Sequence, residues 1–441
     1  MSAGDTICAV ATPPGRGGLG VIRLSGDESR SLAQKICGSL PAIRQAGLRH
    51  FRDLDGEVID TGLVMVFAAP ASFTGEDVVE LHTHGSPVVL EMIQRALVEA
   101  GARRARPGEF SERAFLNDRI DLAQAEAIAD LIGSASEQAA RAASRSLEGA
   151  LSHEAESLAT ALTEMRVWVE AALDFPDEDV DFLADGQVAQ RVESVLNDIE
   201  TLLQRSRSGR LLTDGIRIAI IGKPNSGKSS LLNALTRSDS AIVTNIPGTT
   251  RDVLRETVAI AGMPVILSDT AGLRETVDAV EVEGVRRARR EMQTADLIFW
   301  VVEATDADSQ RPAGLPESVP CIRINNKIDL SGHQPGASRG QVNLSAKTGA
   351  GIQALEKTVL ETLGLDPQAG GEFSARQRHV EAIEKAATHV RRGLAEIRTT
   401  GSGELLAEEL KLAADRLGEI TGRLSSDELL GRIFSSFCIG K

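Results

Sequence analysis

The spacing of apolar residues changes several times along this chain, and each change marks a block. Up to about residue 118, short apolar runs (Ile7–Val10, Val21–Leu24, Leu63–Phe67, Val78–Leu81) are separated by turn signals such as Pro13-Pro14-Gly15-Arg16-Gly17-Gly18. Short runs bounded by Gly and Pro predict strands, and Val88–Glu99 reads as a helix, so this block is expected to be α+β. From Leu122 to Leu173 the chain is Ala-rich, Pro-free and spaced for one or two long helices. Pro176 and the acidic stretch Asp174–Asp181 end that pattern. A further helix is predicted over Val188–Arg207, with Ser208-Gly209 as a linker. Between about 212 and 368 the short apolar runs Ile216–Ile221, Val265–Leu267, Leu297–Val302 and Ile322–Ile324 alternate with helix patterns, as expected for strands buried on both faces of a parallel sheet. The last block, from about 373, is helical again. Neither helical flank has much apolar surface to bury alone, so the flanks are expected to pack together with the α/β block inserted between them. The expected division is 1–118, 119–211, 212–368 and 369–441.

Composition narrows the partners. The chain has 441 residues, 42% hydrophobic and 25% charged, which suits a soluble globular protein of two or three domains. There is no Tyr, and the only Trp are Trp168 and Trp300, so the cores must rest on Ala, Leu, Ile and Val. The formal charge of −15 argues against a surface that captures nucleic acid by its own field. If RNA is a substrate, a partner or a local cluster must attract it. Arg103-Arg104-Ala105-Arg106 and Arg286-Arg287-Ala288-Arg289-Arg290 are such clusters, though each reads first as a solvated face. Cys8, Cys37, Cys321 and Cys438 are dispersed, which fits a reducing cytosol. No N-terminal signal and no membrane-length apolar run is visible, so a cytoplasmic protein is expected.

The α/β block carries the chemistry. Gly222-Lys223-Pro224-Asn225-Ser226-Gly227-Lys228-Ser229 follows a predicted strand and opens a predicted helix, the context of a phosphate loop. There, backbone N–H groups and the helix N-terminus attract an anion. Asn225 to Ser230 would line the phosphates, with Lys228 reaching the β- and γ-phosphates and Ser229 a ligand of Mg²⁺. Asp269-Thr270-Ala271-Gly272 follows another strand; its carboxylate suits the Mg²⁺ shell and the Gly272 N–H suits the γ-phosphate. Asn326-Lys327-Ile328-Asp329, backed by Ser345-Ala346-Lys347, selects the base. A carboxylate accepts from guanine N1–H and the 2-amino group, whereas adenine would leave it unpaired, so GTP is favoured over ATP. Leu273 stands where Ras-like enzymes place a water-orienting Gln. Hydrolysis must therefore be completed by another group: Arg251, Arg274, Glu281, an ion or another subunit. The Asn225 carbonyl could hold a cation beside the phosphates or bond within its own loop.

Together with the flanks, these residues resemble the MnmE (TrmE) family of bacterial tRNA-modifying GTPases. The resemblance spans essentially the whole chain. Outside the nucleotide motifs it rests on Asp5-Thr6-Ile7, Ala11 to Gly18, Phe73-Thr74-Gly75-Glu76-Asp77, Arg106 to Ser111, Ala114 to Asn117 and Cys438-Ile439-Gly440-Lys441. It implies a multidomain fold: an α+β N-terminal folate-binding-like domain that dimerises, an α-helical domain, and an inserted Ras-like α/β P-loop GTPase domain. Arg23, Glu80, Arg119 and Lys441 match positions that contact a tetrahydrofolate derivative (5-formyl or 5,10-methylene). Family members often carry Lys where Arg119 stands. Asn225, Thr244, Ile246 and Thr249 match a K⁺ loop within Thr244-Asn245-Ile246-Pro247-Gly248-Thr249-Thr250, a stretch that also contacts GTP. Thr250 matches a second Mg²⁺ ligand, and Glu281 a residue that positions the attacking water. The resemblance further implies a homodimer, a flavoprotein partner MnmG (GidA) in a two-plus-two assembly, FAD only through that partner, and tRNA as substrate, with no membrane association.

Three signals remain open. Cys438 could act as nucleophile or acid beside a one-carbon carrier, or be a structural tail. His82 and His84 share one strand face, yet no further ligands at metal spacing accompany them. A ribosome-assembly GTPase of the Era/Der type is the competing reading; its families carry a second nucleotide domain or an RNA-binding Gly-x-x-Gly clamp, and neither is clear here.

Overall fold

A computed structural model describes residues 5–174, 187–236, 255–260, 263–269, 292–306, 312, 315–338, 340–364, 372–423, 427–437 and 440. They fall into two compact units, drawn from 1–129 with 418–441, and from 130–417.

The first unit is built on a six-stranded sheet of order β3-β4-β5-β2-β1-β6. The strands are β1 (Ile7–Val10), β2 (Gly17–Ser25), β3 (Gly47–Arg52), β4 (Val58–Phe67), β5 (Val78–Gly85) and β6 (Arg103–Arg104). All neighbours pair antiparallel except β1 with β6. The predicted apolar runs all fall within these strands. Ile22, Leu24, Val64, Val66 and Leu81 share one core with Leu32 and Ile36 of α1 (Ser29–Cys37) and Ile93 and Leu97 of α2 (Pro87–Ala100). The two-residue side-chain period then sends Val21, Arg23, Glu80 and His82 to the opposite face. Helix α2 starts one residue before the predicted Val88 because Pro87 suits a first helical position. Two more helices, α3 (Glu109–Leu116) and α4 (Leu122–Gly133), follow. Leu122 and Ala125 pack with Ile433 and Phe434 of a helix at Asp427–Ser435.

In the second unit, the Ala-rich stretch breaks into more helices than the one or two expected. After α4 come α5 (Glu137–Leu147) and α6 (Ala150–Asp174). Ser136 caps α5 by accepting from the Ala139 N–H at 3.1 Å, and Gly149, at φ +94°, turns the chain between α5 and α6. The expected linker Ser208-Gly209 lies inside α7 (Gln187–Asp214). Gly209 is there for close packing: a Cβ on it would stand 2.5 Å from the Phe373 carbonyl oxygen.

Helix α7 then runs into the second sheet, of order β12-β13-β11-β10-β7-β9-β8. Its elements in chain order are β7 (Ile216–Ile221), α8 (Lys228–Thr236), β8 (Arg255–Ile260), β9 (Met263–Asp269), β10 (Leu297–Glu303), β11 (Cys321–Asn326), α9 (Ile328–Ser331), β12 (Gly336–Ser338), β13 (Gln341–Asn343) and α10 (Ile352–Leu363). The five central strands are parallel, and β12 and β8 are antiparallel edges. Strand β10 is buried nearly throughout, as expected. Strand β11 is not: Ile322 and Ile324 are buried, whereas Arg323 and Asn325 are half-exposed. Arg323 lies over the Trp300 ring at 4.9 Å, and Asn325 donates to Asn343 at 2.8 Å, so polar contacts serve that face.

After this sheet the chain returns through α11 (Gln377–Thr399) and α12 (Gly403–Thr421). The flanks pack together as expected, with α7 against α11. Along the antiparallel pair run three ion pairs: Glu193 with Arg398, Glu200 with Arg391 at 2.7 Å, and Arg207 with Glu384 at 2.6 Å. The segment entering α11 is clamped. Ser146 Oγ accepts from the Ser374 N–H at 2.8 Å and Arg145 donates to the Glu372 carbonyl at 2.7 Å. The protein is thus an α+β N-terminal domain, a helical domain and an inserted α/β domain. Among the described residues no helix is long and apolar enough to cross a membrane.

Candidate nucleotide-binding site

The phosphate loop lies between β7 and α8, at the C-terminal edge of the parallel strands where open α/β sheets bind ligands. Three features of the loop suit an anion. Lys228 opens α8, and its ammonium donates to the Gly222 and Lys223 carbonyls at 2.8 and 2.9 Å, which curls the loop around it. Ser226 Oγ is buried without a hydrogen-bond partner, an unmet polar atom inside the loop. Asn225 takes φ +64°, the left-handed turn that points successive N–H groups inward. Ser229 and Ser230 are exposed in the first turn of α8.

Asn326 is the centre of the site. It is almost fully buried. Its Nδ2 donates to the Ser226 carbonyl at 3.0 Å, and its Oδ1 accepts from the N–H groups of Lys327 at 2.8 Å and Ala346 at 3.0 Å. One amide therefore joins the phosphate loop, the base loop and the backing loop. Gly227 permits the contact, since a Cβ there would stand 2.2 Å from Asn326 Nδ2. Lys327 follows in the left-handed region at φ +66°. Ser345 donates to Asp329 Oδ1 at 2.6 Å and so orients that carboxylate. Lys347 is exposed beside it. Asp269 ends β9, with its backbone in register with Ile220 of β7. The donors, the carboxylate and the buried hydroxyl fit a Mg²⁺-bound guanine nucleotide.

Two acidic residues beside this site were not anticipated. Glu303 ends β10 and pairs with Lys327, and Asp306 pairs with Lys223 at 2.8 Å. The legible signal was an acidic residue directly after a buried parallel strand.

The N-terminal candidates also meet. Arg23 donates to Glu80 at 2.9 Å, and its guanidinium lies over the rings of Phe73 at 5.5 Å and Phe110 at 5.7 Å. His82 contacts the other Glu80 oxygen at 3.3 Å, while His84 bonds to Asp60 at 2.8 Å. Arg119 is exposed, with its stem against Gly75. Gly440 packs on the Val10 carbonyl of β1. Much of the remaining N-terminal signature is an ion-pair network. Arg113 reaches Asp5 at 2.6 Å and Glu76 at 3.1 Å, and Arg103 reaches Glu109 at 2.6 Å. Arg103 holds the Asp5 carboxyl below its usual range, with Arg113 assisting against burial. Burial opposes ionisation of Glu109, but hydrogen bonds from Arg103 and the Arg106 N–H outweigh it and lower its pKa. In the basic cluster, Arg104 pairs with Glu91 and Arg106 with Glu112, so its charge is largely answered. Burial pushes the Cys8 and Cys37 thiols up to about 11.

Thr244 to Thr250, Arg251, Thr270 to Gly272, Arg274, Glu281, Arg286 to Arg290, Cys438 and Lys441 lie outside the described residues.

Fold and loops together define a P-loop protein of the GTPase type. A family model described as the MnmE helical domain matches residues 122–438, and one described as the GTP-binding protein TrmE N-terminus matches residues 6–119. The chain belongs to the MnmE (TrmE) family. Among solved structures, Era in complex with MgGDPNP and a 16S ribosomal RNA fragment is similar at 28% identity, over 33% of this chain and 56% of that one, with a TM-score of 0.26. Aquifex aeolicus Era bound to GDP and AlF4⁻ is similar at 26% identity, over 39% and 66%, with a TM-score of 0.26. The G domain of T. maritima FeoB is similar at 23% identity, over 33% and 98%, with a TM-score of 0.24. The match thus spans less than two thirds of either Era chain.

Proposed function

We propose that this chain hydrolyses GTP in a K⁺-dependent cycle activated by dimerisation, and that the cycle serves tRNA modification. With the flavoprotein MnmG (GidA), it installs a carboxymethylaminomethyl-type group at C5 of wobble uridine 34 in certain tRNAs, using a folate one-carbon unit. The observation that carries this reading is the joint presence, in one chain of the MnmE family, of a guanine-selecting P-loop site and the Arg23–Glu80 pair flanked by Phe73 and Phe110.

Within the P-loop site, Lys228 and the N-terminus of α8 offset phosphate charge, and Asp329, held by Ser345, accepts from the guanine edge. Ser229 and Thr250 are assigned to Mg²⁺, and Asn225, Thr244, Ile246 and Thr249 to K⁺. With Leu273 in place of Gln, water positioning falls to Glu281, and the K⁺ ion supplies charge near the developing phosphate charge. In the N-terminal unit, Arg23, backed by the Phe73 and Phe110 rings, and Glu80 offer donors and an acceptor, which suits the polar edge of a heterocycle such as a pterin. Arg119 and Lys441 complete that set.

The test is mass spectrometry of tRNA nucleosides from cells lacking the protein. Loss of the C5 substituent at the wobble uridine is expected, with restoration by the intact gene. Retention of the modified nucleoside in a strain without a second copy would overturn this reading in favour of an assembly GTPase of the Era/Der type.

A further inference from the structure

We propose that Glu303 and Asp306 are positioning residues of the nucleotide site. The turn that ends β10 braces the base loop with one carboxylate and the phosphate loop with the other. This rests on the guanine-nucleotide reading and adds to it two residues outside every recognised motif.

The turn itself is fixed. The Asp306 N–H donates to the Glu303 carbonyl at 2.9 Å, and the Ala304 N–H donates to the Asn326 carbonyl at 2.8 Å. Glu303 stands in register with Asn326 across the β10–β11 ladder. The Glu303 carboxylate is therefore anchored beside the first residue of the base loop, where it pairs with the Lys327 ammonium. Lys327 leaves its backbone in the left-handed region, and its stem crosses to Gly227, with Cε 3.9 Å from where a Cβ would stand. A lysine stem has many rotamers, and holding its far end selects those that lie along the loop. In this way the ion pair sets the stem across the junction of the base and phosphate loops before nucleotide arrives. Asp306 acts on the other arm. It pairs with Lys223, whose carbonyl accepts from Lys228 at 2.9 Å.

Exposure sets the size of each arm. Glu303 and Lys327 are 37% and 32% exposed, whereas Lys223 is 72% exposed beside Asp306. Partly exposed pairs are weak, so removing the Glu303 arm should weaken nucleotide binding about fivefold and removing the Asp306 arm about twofold.

The experiment is titration calorimetry of GDP, with Mg²⁺, on the full-length chain and on Glu303→Gln, Lys327→Met and the double variant. Each variant's melting temperature is recorded alongside. Glu303→Gln is expected to lose about fivefold in affinity, and the same change in the Lys327→Met background is expected to lose nothing further. Unchanged affinity in Glu303→Gln, or an equal loss with and without Lys327, overturns the brace; the second result would mean that the carboxylate only holds the turn. Asp306→Asn should speed GDP release about twofold, and an unchanged rate removes that arm. A wild-type protein that binds ATP as tightly as GTP defeats the guanine reading, whatever the variants do.

Discussion

In the N-terminal unit the motif residues hold one another by charge: Asp5, Glu76 and Glu109 converge on Arg103 and Arg113. In the nucleotide unit the central motif residue, Asn326, holds the backbone instead, with the Lys223 and Lys327 pairs at its edge. Asn326 spends its amide on the Ser226 carbonyl and on the Lys327 and Ala346 N–H groups. The difference follows from what each region has to place. The first must tie β1, the Phe73–Asp77 turn and α3 to one another, and long paired side chains span such gaps. The second must aim main-chain donors at a ligand, which a short amide fixed to the main chain does better. Charge-held regions should therefore fail with loss of a partner, and backbone-held regions with loss of a hydrogen bond.

The strongest break should come from Arg113→Met. It strips Glu76 of its cation and leaves Asp5 and the buried Glu109 to Arg103 alone, a cost of about 3–5 kcal/mol. Calorimetry should show the transition of the N-terminal unit falling while GDP affinity holds; a parallel loss of affinity would erase the contrast. Next is Asn326→Ala, which strands main-chain groups of three loops. A loss of about 3 kcal/mol in GDP binding, roughly a hundredfold, is expected with the N-terminal transition unmoved. Less than a tenfold loss would mean that the loops hold without it.

The smallest effect sharpens the comparison by asking what a charge does in the backbone-held unit. The Asp214 side chain at the end of α7 is exposed, yet desolvation by the chain packed around it raises its carboxyl, with Arg210 the leading opposing influence. A raised native pKa means the folded state binds the proton more readily than the unfolded one. That contribution is whole below the unfolded pKa and is lost as pH rises through the folded value. Because solvent screens an exposed carboxylate, Asp214→Asn should stabilise the unit only slightly at neutral pH, by about 0.2 kcal/mol, and the gain should vanish in acid. Urea melts at the two pH values test this, and a gain that persists in acid would contradict it.

Legibility in the sequence tracked the range of the interaction. The strand from Ile216 to Ile221, the phosphate loop and the base loop were readable because each is a local pattern tied to a backbone form. The brace was not, because Glu303 and Lys327 lie 24 residues apart in sequence. Nor was the N-terminal network, where Arg113 and Asp5 are 108 apart. Ser208-Gly209 read as a linker because glycine breaks helices on average; the Phe373 carbonyl that requires it comes from the far side of the inserted domain. The alternation of β11 was visible as Arg323 and Asn325, yet the general burial of parallel strands outweighed it.

The three pairs between α7 and α11 carry a further consequence. Glu193, Glu200 and Arg207 are seven residues apart, as are Arg398, Arg391 and Glu384, and the last pair is reversed in sign. Slide one helix by a heptad in one direction and Glu200 meets Glu384; slide it in the other and Arg207 meets Arg391. Each exposed pair is weak as a bond. As a code the set is unambiguous, because only one alignment has no clash of like charges. Helix α7 continues almost at once into β7, so a slip of seven residues would displace the phosphate loop by about 10 Å. The reversed pair thus fixes where the P-loop begins.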